Sequence, residues 1–193
     1  MTHNNFPPAA VAAGLVLLAA APAVLAADNL ANYTLKIEFA DLPSIGEKGD
    51  FDNASLVYTL APQAYITGLS WSVNLTALDP SWLSELTLEL TNTGGEGVQL
   101  SPADGSNYAG SLQTSGQIDL VNNGLGFRLN SDGRLHLEFY DAFDDLVGAD
   151  GRWGAGLLEV SYTAPVPEPA SAGLLLAGLL AAGAWRARKR LAH

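Results

Sequence analysis

"NSDGRLHLEFY", Asn130 to Tyr140, is the stretch that decides the fold class. Leu135, Leu137 and Phe139 alternate with His136 and Glu138. That two-residue period belongs to a strand with one buried face and one wet face. Asn130-Ser131-Asp132-Gly133 ahead of it supplies residues that cap turns or accept positive φ. On the far side of the turn, Leu125, Phe127 and Leu129 alternate with Gly126 and Arg128. A turn between two alternating runs predicts a β-hairpin.

The same period recurs along the middle of the chain. Tyr33, Leu35, Ile37 and Phe39 show it, as do Trp71, Val73 and Leu75; Leu86, Leu88 and Leu90; and Leu158, Val160 and Tyr162. Leu56–Leu60 and Gln117–Val121 are weaker strands. Gly94-Gly95, Pro102–Gly105 and Asn122–Gly124 separate the runs with turn chemistry. Asp79–Glu85 reads as one helical turn or a corner, and no longer helical pattern interrupts the series. About eight strands at this spacing predict an all-β fold, an antiparallel, jelly-roll-like β-sandwich.

Composition bounds what such a domain can bind. Nineteen of the twenty acidic residues, but only five of the nine basic ones, fall between Asp28 and Thr163, a formal balance of −14. A surface of that sign repels nucleic acid and anionic membranes and attracts divalent cations. The chain has no cysteine, which excludes disulfides, thiolate metal sites and a cysteine nucleophile. Stability then rests on the core, or on the core and a bound metal.

Both ends read as addresses rather than as fold. Residues 1–26 form a signal peptide: an Ala/Leu-rich run from Ala9 to Ala23, then Val24 and Ala26 at positions that suit signal peptidase. Cleavage falls after Ala26, with Ala27 as the second choice. The segment before the apolar run has no Lys or Arg, and the alternative is an uncleaved anchor. Residues 27–163 are the sandwich domain, and residues 164–169 are a proline-rich linker that favours an extended backbone. Residues 170–193 hold a single transmembrane helix and a basic tail. Ala170 to Trp185 is uncharged but short beside the ~20 residues a bilayer core needs. Arg186, Arg188, Lys189 and Arg190 would stay on the cytoplasmic side of the inner membrane, leaving the acidic domain outside.

Three parts of this tail resemble the PEP-CTERM sorting signal of exosortase systems. They are Val166 with the triplet Pro167-Glu168-Pro169, the apolar run Ala170 to Trp185, and the cluster Arg186 to Arg190, in that order. The alternative is a plain membrane anchor on a proline stalk. The resemblance implies that a membrane exosortase cuts near Pro167-Glu168-Pro169 and that the domain is then released or attached at the cell surface. It also implies an association with exopolysaccharide and biofilm matrix. In the middle of the chain, Trp71–Leu75 followed by Glu85–Leu90 resembles paired strands of the P-domain that follows the catalytic domain of proprotein convertases. Leu135 to Tyr162 resembles that domain's last hairpin.

Chemistry is sparsely marked. His136, the domain's one histidine, falls on the polar face of its strand, and no G-x-S-x-G stretch provides an activated serine. Carboxylates are plentiful, yet no pair is singled out for glycosidase-type catalysis. The expectation is a non-enzymatic surface or matrix protein without a cofactor. A calcium-supported carbohydrate-binding module and a matrix-polymer hydrolase are the alternatives. The candidate calcium ligands are Asp141, Asp144, Asp145 and Asp150 on the glycine-containing loop before the last strand. Their order does not match an EF-hand, and a solvated acidic loop is the competing and favoured reading. Asp50 and Asp52 form a weaker second pair. Trp82 and Trp153 in loops, then Tyr108 and Tyr140, are the aromatics that could stack on sugar rings, although packing under a loop is the favoured reading for both tryptophans, and Trp71 reads as core.

Overall fold

The computed structural model describes residues 30–166 and 177–182. It is an all-β sandwich of ten strands: β1 (Leu30–Phe39), β2 (Leu42–Ser44), β3 (Ala54–Thr59), β4 (Tyr65–Ala77), β5 (Leu86–Thr91), β6 (Gly97–Leu100), β7 (Gly110–Asp119), β8 (Phe127–Arg128), β9 (Arg134–Asp141) and β10 (Gly151–Pro165). One sheet runs β1-β10-β4-β7, with β2 beside β10 and β8 beside β4, and the other runs β3-β9-β5-β6. Every pairing is antiparallel. The segment between β4 and β5, expected as one helical turn or a corner, is a corner that contains a 3-10 turn, Leu83–Glu85.

The hairpin predicted at Asn130–Gly133 is not one. The turn itself forms, with the Gly133 N–H donating to the Asn130 carbonyl at 3.0 Å. Yet Phe127 and Arg128 pair with Ile66 and Tyr65 of β4, while Arg134 pairs with Thr59 of β3. The turn therefore carries the chain from one sheet to the other. The P-domain-like pairings dissolve in the same way: β4 and β5 lie in different sheets, and so do β9 and β10. Both inner faces of a sandwich carry the same alternation, so a two-residue period does not say which sheet a strand joins.

Inward-facing side chains of the two sheets meet in one core. Ile37, Val73, Leu75, Leu158 and Val160 come from one sheet, and Leu86, Leu88, Leu90, Leu135 and Leu137 from the other. At one end of the core, three rings lock the sheets together. Phe139 of β9 lies edge-to-face against Phe39 of β1 and Trp153 of β10, each at 5.2 Å between centroids. Trp153, expected in a loop, is in β10 and fully buried. The acidic loop stops at Asp150, and the strand begins one residue later. Between Trp153 and Gly156 the register with β4 shifts, and the Phe39 ring fills the space above Gly156. A Cβ there would sit 2.4 Å from Phe39 Cε2, so glycine is what lets the ring in.

β10 is the backbone of the first sheet, paired on one side with β1 and on the other with β4. It extends to Pro165, opposite Leu30, so the ordered domain takes in the first two residues of the expected linker. Proline is tolerated there because a strand end does not need its N–H. Residues 177–182 are helical, and among the described residues no helix is long and apolar enough to cross a membrane. The predicted signal peptide, Pro167-Glu168-Pro169 and the basic residues Arg186, Arg188, Lys189 and Arg190 lie outside the described residues.

Candidate functional site

The acidic loop splits its carboxylates into two kinds. Asp141 ends β9 opposite Leu86, and Asp150 stands just before β10; both are fully buried. Asp144 and Asp145 lie on the intervening loop and are exposed. The four do not form one ligand set, and among the described residues no three acidic or imidazole groups converge as a metal cluster. The strand ends carry the first and last carboxylates inward, whereas the loop between them faces water.

Burial governs the buried pair. Desolvation pushes the Asp141 carboxyl up to about 7, against a hydrogen bond from the Phe143 N–H (3.2 Å), and the neighbouring Asp150 charge raises it further. Asp150 is raised as well, again by desolvation first. The N–H groups of Asp145 and Leu146 oppose that shift, and so does the Ser81 hydroxyl, which lies close without meeting hydrogen-bond geometry. Each carboxylate thus has one oxygen held by backbone and one, Asp141 Oδ2 or Asp150 Oδ1, with no partner. Asp50 and Asp52 behave as an ordinary turn: the Asp52 N–H donates to Asp50 Oδ1 at 2.9 Å.

The outer face of the second sheet is also polar, and its order was not visible in the sequence. The loop Glu47–Asn53 folds over it. Lys48 Nζ reaches Glu89 Oε1 at 2.6 Å, and Glu138 Oε1 accepts from the Gly49 N–H (2.6 Å) and the Asn53 side-chain amide (2.9 Å). This cover buries Glu89 on the outer face of β5, while Thr87 on the same strand is held by the Glu85 carbonyl and the Ser101 hydroxyl, both at 3.0 Å. His136 sits in the open groove beside the cover, opposite Val57 and Thr91, and its Nε2 has no hydrogen-bond partner.

The aromatics divide sharply. Trp153 and Tyr140 are buried and unavailable for stacking. Trp71 is half-buried, its ring lying over Gly116 of β7. Trp82 and Tyr108 stay open to solvent, at 44% and 53% exposure, on adjoining segments tied by the Leu83 N–H to the Tyr108 carbonyl at 3.0 Å. Their corner borders the acidic end, because the Leu78 N–H bonds the Asp150 carbonyl and the Ser81 N–H bonds the Leu78 carbonyl, both at 2.8 Å.

The order of parts that follows the last strand decides the address of the domain. Residues 165–190 match the PEP-CTERM protein-sorting motif. A chain with this PEP-CTERM tail is exported, held transiently at the membrane and processed by a membrane exosortase. A search of curated proteins gives no match. Among solved structures, a serine protease of Aeromonas sobria is 13% identical over 68% of this chain, with a TM-score of 0.38. This chain spans 27% of that protease's length. The cyanophage Pam1 capsid asymmetric unit is 18% identical over 82% of this chain and 100% of its own, also at 0.38. FLHE is 14% identical over 69% of this chain and 96% of its own, at 0.34.

Proposed function

We propose that the mature domain is a non-enzymatic surface or extracellular-matrix protein, structural or adhesive in an exopolysaccharide or biofilm matrix. The observation that carries this reading is the direct passage from sandwich to sorting motif: β10 ends at Pro165, the residue at which the PEP-CTERM match begins. A folded acidic module with no cysteine is thereby presented to an exosortase with almost no intervening chain. Its packed core needs no oxidising chemistry to persist outside the cell. The decisive experiment expresses the full chain in its host with and without the exosortase. A shortened product at the surface or in the medium, replaced by full-length protein in the inner membrane when the enzyme is absent, is expected. An unchanged mass, with the domain still in the membrane, overturns the proposal.

The exposed pair Trp82 and Tyr108 favours a second reading, a carbohydrate-binding module. Flat rings held on a rigid corner are the groups that stack on sugar faces. Calorimetric titration with the host exopolysaccharide tests it. Heat that disappears in Trp82→Ala and Tyr108→Ala supports binding at this corner, and heat unchanged in both variants removes it.

A further inference from the structure

We propose that Asp141 and Asp150 hold one divalent cation of calcium type at the end of the sandwich, assisted by the hydroxyls of Ser44 and Ser81.

Backbone hydrogen bonds join the four segments that carry these groups. The Asp150 N–H donates to the Ser44 carbonyl at 2.9 Å, joining β2 to the start of β10. The Asp150 carbonyl accepts from the Leu78 N–H, whose own carbonyl holds Ser81. The Asp141 N–H donates to the Gly46 carbonyl at 3.0 Å, which ties β9 to the segment just after β2. All four residues, Ser44, Ser81, Asp141 and Asp150, are fully buried. Each carries a side-chain oxygen without a hydrogen-bond partner: Ser44 Oγ, Ser81 Oγ, Asp141 Oδ2 and Asp150 Oδ1. The Asp150 charge acts on Asp141, and the Ser81 hydroxyl lies beside Asp150. Buried carboxylate oxygens without a partner are costly, and these orphaned oxygens at one end of the sandwich call for a cation.

The protein does not supply that cation itself. Lys36 pairs with Glu159, Lys48 with Glu89 and Arg152 with Asp41. Arg128 lies over the Tyr65 ring. Arg134 begins β9, at the opposite end of that strand from Asp141. The basic residues of the domain are thus committed or distant, and a diffusible ion must come from outside. The donor set is all oxygen, two carboxylates and two hydroxyls, which selects a hard cation. Full burial of the donors favours calcium over magnesium, which keeps several of its waters, and only two charges give the weak affinity of extracellular modules, Kd of about 10⁻⁴–10⁻³ M. The two exposed carboxylates, Asp144 and Asp145, are not first-line ligands in this arrangement.

The test uses the purified full chain in detergent, stripped with chelator and titrated with calcium chloride at constant ionic strength. A single saturable rise in the unfolding midpoint is expected, roughly 5 °C at ten times Kd. Asp141→Asn and Asp150→Asn should each abolish it, while Asp144→Asn and Asp145→Asn keep it. Should either buried variant fail to fold, Ser81→Ala provides the second measure, with half-saturation moved to about 3–10-fold higher calcium. No calcium-dependent rise in the unmodified chain, an equal rise with sodium chloride alone, or a rise retained in the Asp141→Asn/Asp150→Asn double variant overturns the proposal.

Discussion

Replacing Trp153 with alanine removes the ring that joins β10 to Phe139 across the sandwich. The side chain is fully buried. A buried tryptophan removes on the order of 200 Å² from water, worth about 5 kcal/mol at about 25 cal/mol per Å². Its two edge-to-face contacts, with Phe139 and Phe39, add roughly 0.5–1.5 kcal/mol each. Against this stands the indole N–H, which has no partner and whose removal returns about 1–3 kcal/mol. Alanine also retains part of the original burial. The net loss is about 3–5 kcal/mol, the usual range for Trp→Ala in a core, and a large part of the 5–15 kcal/mol that holds a typical domain. Urea unfolding followed by far-UV circular dichroism measures it without relying on the deleted fluorophore. Trp153→Phe keeps most of the ring and drops the orphaned N–H, so it should lose less than about 2 kcal/mol. Trp82→Ala, at an exposed corner, should lose under about 1 kcal/mol. Equal losses for Trp153→Ala and Trp82→Ala would refute the placement of Trp153 at the joint between sheets.

Three further outcomes follow from single residues. With chelator present, folded Asp141 keeps its proton up to about pH 7, while the unfolded group loses it near 3.8. The native state therefore binds the extra proton between those values, and its share of stability declines as pH rises through that window, by roughly 2–4 kcal/mol. Denaturation curves of Asp141→Asn, which cannot titrate, should lack that component; an identical pH slope would count against it. Gly97→Ala puts a Cβ 1.9 Å from the Leu90 carbonyl oxygen and 2.7 Å from Thr91 Cα, backbone atoms of the neighbouring strand, and should cost about 2–3 kcal/mol. Gly95→Ala meets nothing within 4 Å but must hold φ at 83°, so its melting shift should be smaller, equivalent to about 1–2 kcal/mol. A neutral Gly97→Ala would show that β5 and β6 are not paired as described.

Much of the sandwich was legible because stretches of its main strands alternate apolar and polar residues. β1, β4, β5, β9 and β10 all carry the pattern over their buried residues. β2 and β6 were missed: each is at most four residues, too short to show a period, and β2 has Pro43 at its centre. Sheet membership was illegible for the reason seen at Asn130–Gly133, where local turn chemistry is satisfied by a corner as well as by a hairpin. The acidic loop was found by composition, but its division was not, since only the strand ends decide that Asp141 and Asp150 turn inward and Asp144 and Asp145 do not. Ser44 and Ser81 had no signal at all; a serine at a strand end or in a turn looks the same whether its hydroxyl faces water or the interior. The PEP-CTERM tail was the most legible part, because its three pieces are ordered along the chain and need no fold to be recognised.

The pairing of Leu30 with Pro165 has a mechanical meaning. The domain's entry and its exit to the sorting motif leave side by side, at one pole. The acidic corner, with Asp150, Trp82 and Tyr108, lies at the other end of a fifteen-residue strand, roughly 45 Å away. A pull between Leu30 and Pro165 would open the β1–β10 ladder one hydrogen bond at a time, like a zip. A pull on the far corner, resisted at Pro165, runs along β10 instead and loads its hydrogen bonds to β1 and β4 together, in shear. For a domain tethered at its C-terminal pole and gripped at the opposite one, the strand that leads into the address tag is also the strand that bears the tension.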